Sequence, residues 1–153
     1  MVREGGRGRA GVKAIAGETE FMLDGDLHEL RRLAASVDGF CHERGLADGV
    51  AFDLNLALEE LFVNAVRHGG CDGMPNAARV RLQLREDGVA VEIADRGAPF
   101  DPTAAPAPDL ETPLEERPSG GLGIHLVREI MRDVRYTRAG GWNRVTMRRP
   151  LAD

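Results

Sequence analysis

The chain has 153 residues, of which 42% are apolar and 29% charged, a length and balance suited to one globular domain that buries ~70% of the unfolded chain's surface. That composition excludes a disordered, collagen-like or disulfide-stapled architecture. Twenty Lys and Arg against 25 Asp and Glu give a net charge of −5, the wrong sign for a domain that lives on nucleic-acid phosphates, so a protein or nucleotide partner is expected.

Residues 1–17 are rich in glycine and basic side chains without apolar periodicity and read as a flexible N-terminal arm preceding a domain over 18–153. Arg7 and Arg9 belong to this short arm rather than to a nucleic-acid motif, so no direct DNA binding is expected. The arm lacks the apolar core of an export signal and no stretch is long enough to span a membrane, which predicts a cytoplasmic protein. Lys13 is the sole lysine, which removes P-loop phosphate sites and Schiff-base catalysis. Cys41 and Cys71, without a CxxC or zinc spacing, read as reduced thiols.

Thr19, Phe21 and Leu23 alternate on a short strand that ends at Asp24-Gly25. With Asp26 as N-cap, Leu27, Leu30, Leu33, Ala34, Val37, Phe40 and Cys41 mark a first helix stopped by Gly45. A second helix starts at Asp48 and buries Leu54, Ala57, Leu58, Leu61, Phe62, Ala65 and Val66 before Gly69-Gly70. Val80, Leu82 and Leu84, then Val89, Val91 and Ile93, alternate around Asp87-Gly88 as a β-hairpin. The arginines between them form a solvated face with cross-strand pairing to Glu92. A proline- and alanine-rich stretch over 98–119 reads as a lid or a disordered loop. A third helix opens at Gly120-Gly121-Leu122-Gly123 and carries Ile124, Leu126, Val127, Ile130 and Met131. Two strands follow, near 134–137 and 144–149. This order predicts an α+β two-layer sandwich, a mixed, mostly antiparallel sheet covered on one face by three helices.

Three segments carry polar residues that such a fold must explain. On helix two, Glu60 and Asn64 stand one turn apart, with Arg67 and His68 a turn further. A carboxylate there can act as general base and an Asn carbonyl can hold Mg²⁺ beside phosphates. Read alone, the pair is better explained as a surface Glu and a capped or hydrogen-bonded Asn. Asp95 closes the second hairpin strand and Gly97 follows, placing a carboxylate beside a backbone that something flat can approach, as an adenine amine requires. Taken by itself it is an Asp-x-Gly turn. The glycines at 120, 121 and 123 leave N–H groups at a helix start free for phosphate, although this is not the dinucleotide fingerprint.

In this order, helical Glu-x3-Asn, strand-end Asp-x-Gly, lid and helix-opening Gly-x-Gly resemble the Bergerat nucleotide-binding fold of the GHKL superfamily. The wording ALEELFVNAVRHGG, ADRGAPFDP and GGLGIHLVREIMRDVRY resembles its anti-sigma-factor serine-protein kinase branch, from about residue 19 to 150. The resemblance implies ATP and Mg²⁺ as cofactors. It implies Glu60 as base toward a substrate serine, Asn64 as metal ligand, Asp95 as acceptor of the adenine amine and Gly97 as the close-approach glycine. Phe100, Gly120, Gly121, Leu122, Gly123 and Ile124 complete the nucleotide site, with Val145 and Met147 beside the base, although ordinary core packing also explains Leu122, Ile124, Val145 and Met147. Arg117 is the lid arginine toward the terminal phosphate. His68 is a position near the phosphates, or else a hydrogen-bonded structural histidine.

The function so implied is an ATP-binding anti-sigma factor. It sequesters a sigma factor and phosphorylates a serine of an anti-anti-sigma (STAS-type) protein, most simply as a homodimer. The alternative is a non-catalytic, ATP-dependent partner-switching module.

Overall fold

The computed structural model describes residues 13–15, 17–104, 111 and 121–152, with 13–15, 121 and 122 described by backbone alone. Strands β1 (Lys13–Ile15) and β2 (Glu18–Leu23) lead through a 3-10 turn (Leu27–Glu29) into helices α1 (Leu30–Glu43) and α2 (Asp48–Arg67). Strands β3 (Ala78–Arg85) and β4 (Gly88–Asp95) follow, then helix α3 (Gly121–Ile130) and strands β5 (Arg132–Ala139) and β6 (Trp142–Arg149). The sheet order is β1-β2-β3-β4-β6-β5. Every described pairing is antiparallel, so the expected α+β sandwich contains no parallel pair among the described strands.

Period-two alternation divides the sheet into two faces. Phe21, Val80, Leu82, Val91, Ile93, Val145 and Met147 point to one side, where they meet Leu33, Val37 and Phe40 of α1, Leu54, Leu58 and Phe62 of α2, and Ile124 and Val127 of α3 in one core. Each large side chain so buried contributes roughly 1.5–3 kcal/mol. The opposite face carries the predicted charge row: Glu92 takes Arg79 at 3.2 Å, Arg144 at 3.5 Å and Arg81 at 3.9 Å. A broad trough of ≈ 470 Å³ runs across that face, lined by Glu18, Arg81, Glu92, Thr146 and Arg148. These pairs are part-buried on an open sheet face, where ion pairs contribute on the order of 1 kcal/mol or less.

Local signals position the helices. Asp26 caps the entry to the first helical segment, its Oδ1 accepting from the His28 N–H at 2.8 Å. At the end of α1 the Leu46 N–H returns to the Cys41 carbonyl at 3.0 Å, next to Gly45. The arm expected over residues 1–17 needs correction: Lys13–Ile15 pairs with β2, Lys13 facing Glu20 and Ile15 facing Glu18. A three-residue edge strand has no apolar period of its own. Its register comes from the neighbour's backbone, which a hydrophobic pattern does not register. Most of the expected lid, over 105–110 and 112–120, lies outside the described residues.

Candidate functional site

The C-terminal half of α2, the end of β4 and the start of α3 meet at one edge of the sandwich. Because α2 buries Leu58, Leu61, Phe62 and Ala65, its neighbouring stripe carries Glu60 and Asn64 half-buried at the margin of the core. Among the described residues the Asn64 amide has no hydrogen-bond partner, so the purely structural reading of a bonded Asn finds no support there. The backbone carbonyl of Asn64 accepts from the N–H groups of His68 at 2.9 Å and Gly69 at 3.1 Å, which close the helix.

Glu60 reaches α3. A Cβ placed on Gly123 would collide with the Glu60 carboxylate, so in this arrangement glycine leaves the space that the carboxylate fills. Gly121 is the first residue of α3, whose opening N–H groups and positive dipole end favour an anion. The Glu60 carboxylate therefore lies where a helix start meets a neighbouring helix.

At the end of β4 the Asp95 carboxylate is tied by one oxygen. Its Oδ1 accepts from the Gly97 N–H at 2.8 Å and from Asn143 Nδ2 at 3.0 Å, while Oδ2 has no hydrogen bond among the described residues. A Cβ on Gly97 would stand 2.8 Å from the Gly69 carbonyl oxygen and 2.9 Å from Asp95 Oδ1, so this position too has no room for a side chain. The Ala98 N–H donates to the Gly69 carbonyl at 2.8 Å, pinning the loop after β4 to the loop after α2. Burial, and then the Asp95 charge, push the nearby Cys71 thiol up.

Asp95, Asn64, Leu61, Ala98, Phe100 and Val145 line a cleft of only ≈ 20 Å³, room for about one water. A flat ring needs more room than this cleft provides. Of the remaining residues singled out in the sequence, Ile124 and Met147 sit in the core rather than in the cleft lining. His68 is exposed at the cap of α2, outside that lining. Gly120 and Arg117 lie outside the described residues, as does the side chain of Leu122.

Sequence reasoning missed Asn143, Tyr136 and Arg138. Asn143 is 3% exposed and holds Asp95, the 97–100 loop and β5 together. A signal for it exists. In Trp142–Arg149 the inward positions are Asn143, Val145, Met147 and Arg149, and a polar residue in that series must find partners inside.

No group of three or more His, Cys, Asp or Glu side chains that could hold a metal ion occurs among the described residues. The unpartnered Asn64 amide beside Glu60 nevertheless suits Mg²⁺ that takes most of its ligands from phosphates and water. No helix among the described residues is long and apolar enough to cross a membrane.

The histidine kinase-like ATPase domain family matches residues 23–149. The serine/threonine-protein kinase BtrW of Bordetella bronchiseptica is 38% identical over 96 residues, covering 63% of this chain and 68% of that protein. The serine-protein kinase RsbW of Oceanobacillus iheyensis is 30% identical over 112 residues, covering 69% and 70%. Among solved structures, the RsbU and RsbW domains of Rv1364c from Mycobacterium tuberculosis superpose with a TM-score of 0.65 at 20% identity over 91% of this chain. This chain spans 34% of that longer one, and the likeness is one of fold.

Proposed function

The chain belongs to the histidine kinase-like ATPase domain family and is an ATP-dependent serine/threonine-protein kinase, and we propose that it works as a cytoplasmic anti-sigma factor. In this reading it sequesters a sigma factor and phosphorylates a serine of a STAS-type antagonist, as a homodimer and without touching DNA. The observation that carries the reading is the Glu60 carboxylate held against Gly123 at the start of α3, one turn from the unpartnered Asn64 amide.

The roles follow from chemistry. Asp95 accepts the adenine amine, Gly97 lets the ring lie on the backbone, and Phe100 and Val145, which line the cleft, supply apolar surface. In this reading the N–H groups of Gly120, Gly121 and Gly123 receive phosphate oxygens at the positive end of α3, and Arg117 and His68 are further phosphate contacts. Asn64 holds Mg²⁺, which when bound neutralises phosphate charge. Glu60 accepts the proton of the substrate serine as its oxygen bonds to the γ-phosphorus. The β–γ bridging bond breaks, and its electron pair leaves on ADP. A positioned base of this kind is worth ~10²–10⁴-fold.

The test is transfer of label from γ-labelled ATP to the serine of a STAS-type protein. Wild type should label it and Glu60→Ala should not, while both bind ATP. Full labelling by Glu60→Ala would remove Glu60 from its role. ATP binding by wild type without any labelling would favour the partner-switching module instead.

A further inference from the structure

Asn143 stands on β6 directly opposite Asp95 on β4, and its amide is the most densely bonded side chain near the cleft. Its Nδ2 donates to Asp95 Oδ1 at 3.0 Å, to the Ala98 carbonyl at 2.8 Å and to the Gly97 carbonyl at 3.3 Å. Its Oδ1 accepts from the Tyr136 hydroxyl at 2.6 Å, from Arg138 Nη1 at 2.9 Å and from the Phe100 N–H at 3.4 Å. Arg138 Nη1 also donates to the Gly97 carbonyl at 2.9 Å.

The polarity of this relay is forced. Arg138 has donors only, so the amide oxygen must face β5 and the amide N–H groups must face Asp95 and the 97–98 carbonyls. Asp95 Oδ1 thereby takes two donors, from Gly97 and Asn143, and Oδ2 has no partner among the described residues, on a side chain that lines the cleft. A carboxylate fixed in this way favours a ring that presents a donor and opposes one that presents a carbonyl at the same position.

We propose that Asn143, oriented by Tyr136 and Arg138, is a positioning residue that sets the purine specificity of the site, selecting a 6-amino over a 6-oxo purine through Asp95. The inference rests on the adenine-nucleotide reading above. It adds that the discrimination is set from β5 and β6, by residues outside the three motifs.

The experiment compares the affinities of ATP and ITP, which differ at the 6-position, for wild type, Asn143→Ala and Tyr136→Phe. Wild type should prefer ATP. Asn143→Ala should lose about tenfold in ATP affinity, the scale of one charge-assisted hydrogen bond. Its ITP affinity should stay nearly constant, so the ATP/ITP ratio falls by the same factor. Tyr136→Phe deletes one hydroxyl and should move the ratio the same way by about threefold, and it carries the test alone if Asn143→Ala fails to fold. A general packing defect would weaken both nucleotides equally and leave the ratio unchanged, and that result overturns the proposal. Wild type that binds neither nucleotide overturns the nucleotide reading itself, whereas an ATP preference retained in every folded variant overturns the relay alone.

Discussion

The Glu60 carboxylate occupies the space that a side chain on Gly123 would need. Two segments 63 positions apart in the chain thus interlock through the absence of one Cβ. Gly123→Ala should leave the fold intact, because the colliding atoms belong to a side chain that can swing away. The cost falls on chemistry. A displacement of about 1 Å in a reacting group lowers rates by ~10²-fold. Phosphoryl transfer should therefore drop on that scale while the melting temperature shifts little, and an unchanged transfer rate would separate Glu60 from the reaction.

Asn64→Ala separates metal from fold. The amide has no partner among the described residues, so its loss should change stability by no more than about 0.5 kcal/mol. The gain in ATP affinity on adding Mg²⁺ should shrink or disappear. Titration of both proteins with ATP in Mg²⁺ and in EDTA reads this directly. A Mg²⁺ effect of wild-type size in the variant would assign the metal to other groups.

A pH dependence comes from Glu29. Its carboxylate accepts from Arg32 and from the Asp24 N–H at 2.9 Å, and the Arg32 hydrogen bond holds it below its ordinary value of 4.5 against the opposing pull of burial. A depressed folded-state value means that the ionised group stabilises the native state above pH 4.5 and that this contribution is lost as pH falls below it. Wild type should exceed Glu29→Gln in urea midpoint at pH 7. The gap should narrow as the pH drops through and below 4.5. A gap that is constant with pH would show that charge plays no part in it.

Both cysteines are free and buried, and burial pushes both thiols up, with Asp38 adding to the effect at Cys41 and Asp95 at Cys71. Alkylation of the native protein at pH 7 should be slow and should accelerate many-fold in urea. Fast reaction of either thiol in the native state would mean that its surroundings open readily.

The helices and the β3–β4 hairpin were legible because each carries its own apolar period over eight or more residues, bounded by Asp26, Gly45, Gly69 and Gly88. Glu60, Asn64, Asp95 and Gly123 were legible as ordered motifs. Strand β1 was not, since three edge residues borrow their register from β2. Asn143 was not either, because its meaning lies in strand pairing with Asp95 across 48 positions and in the donors that β5 supplies. The apolar character of Ile124 and Met147 fits a base pocket and core packing alike, and both sit in the core. Hydrophobicity alone does not tell a packed wall from a ligand-facing one.

The central claim is that α2, β4 and α3 converge on an adenine-nucleotide site, and calorimetry of ATP binding with Mg²⁺ tests it most directly, with wild type beside Asp95→Asn. Wild type should bind in the micromolar range and Asp95→Asn at least about tenfold more weakly, since the substitution removes a charged acceptor from the cleft. Absence of binding by the folded wild type, or equal binding by the two proteins, would contradict it.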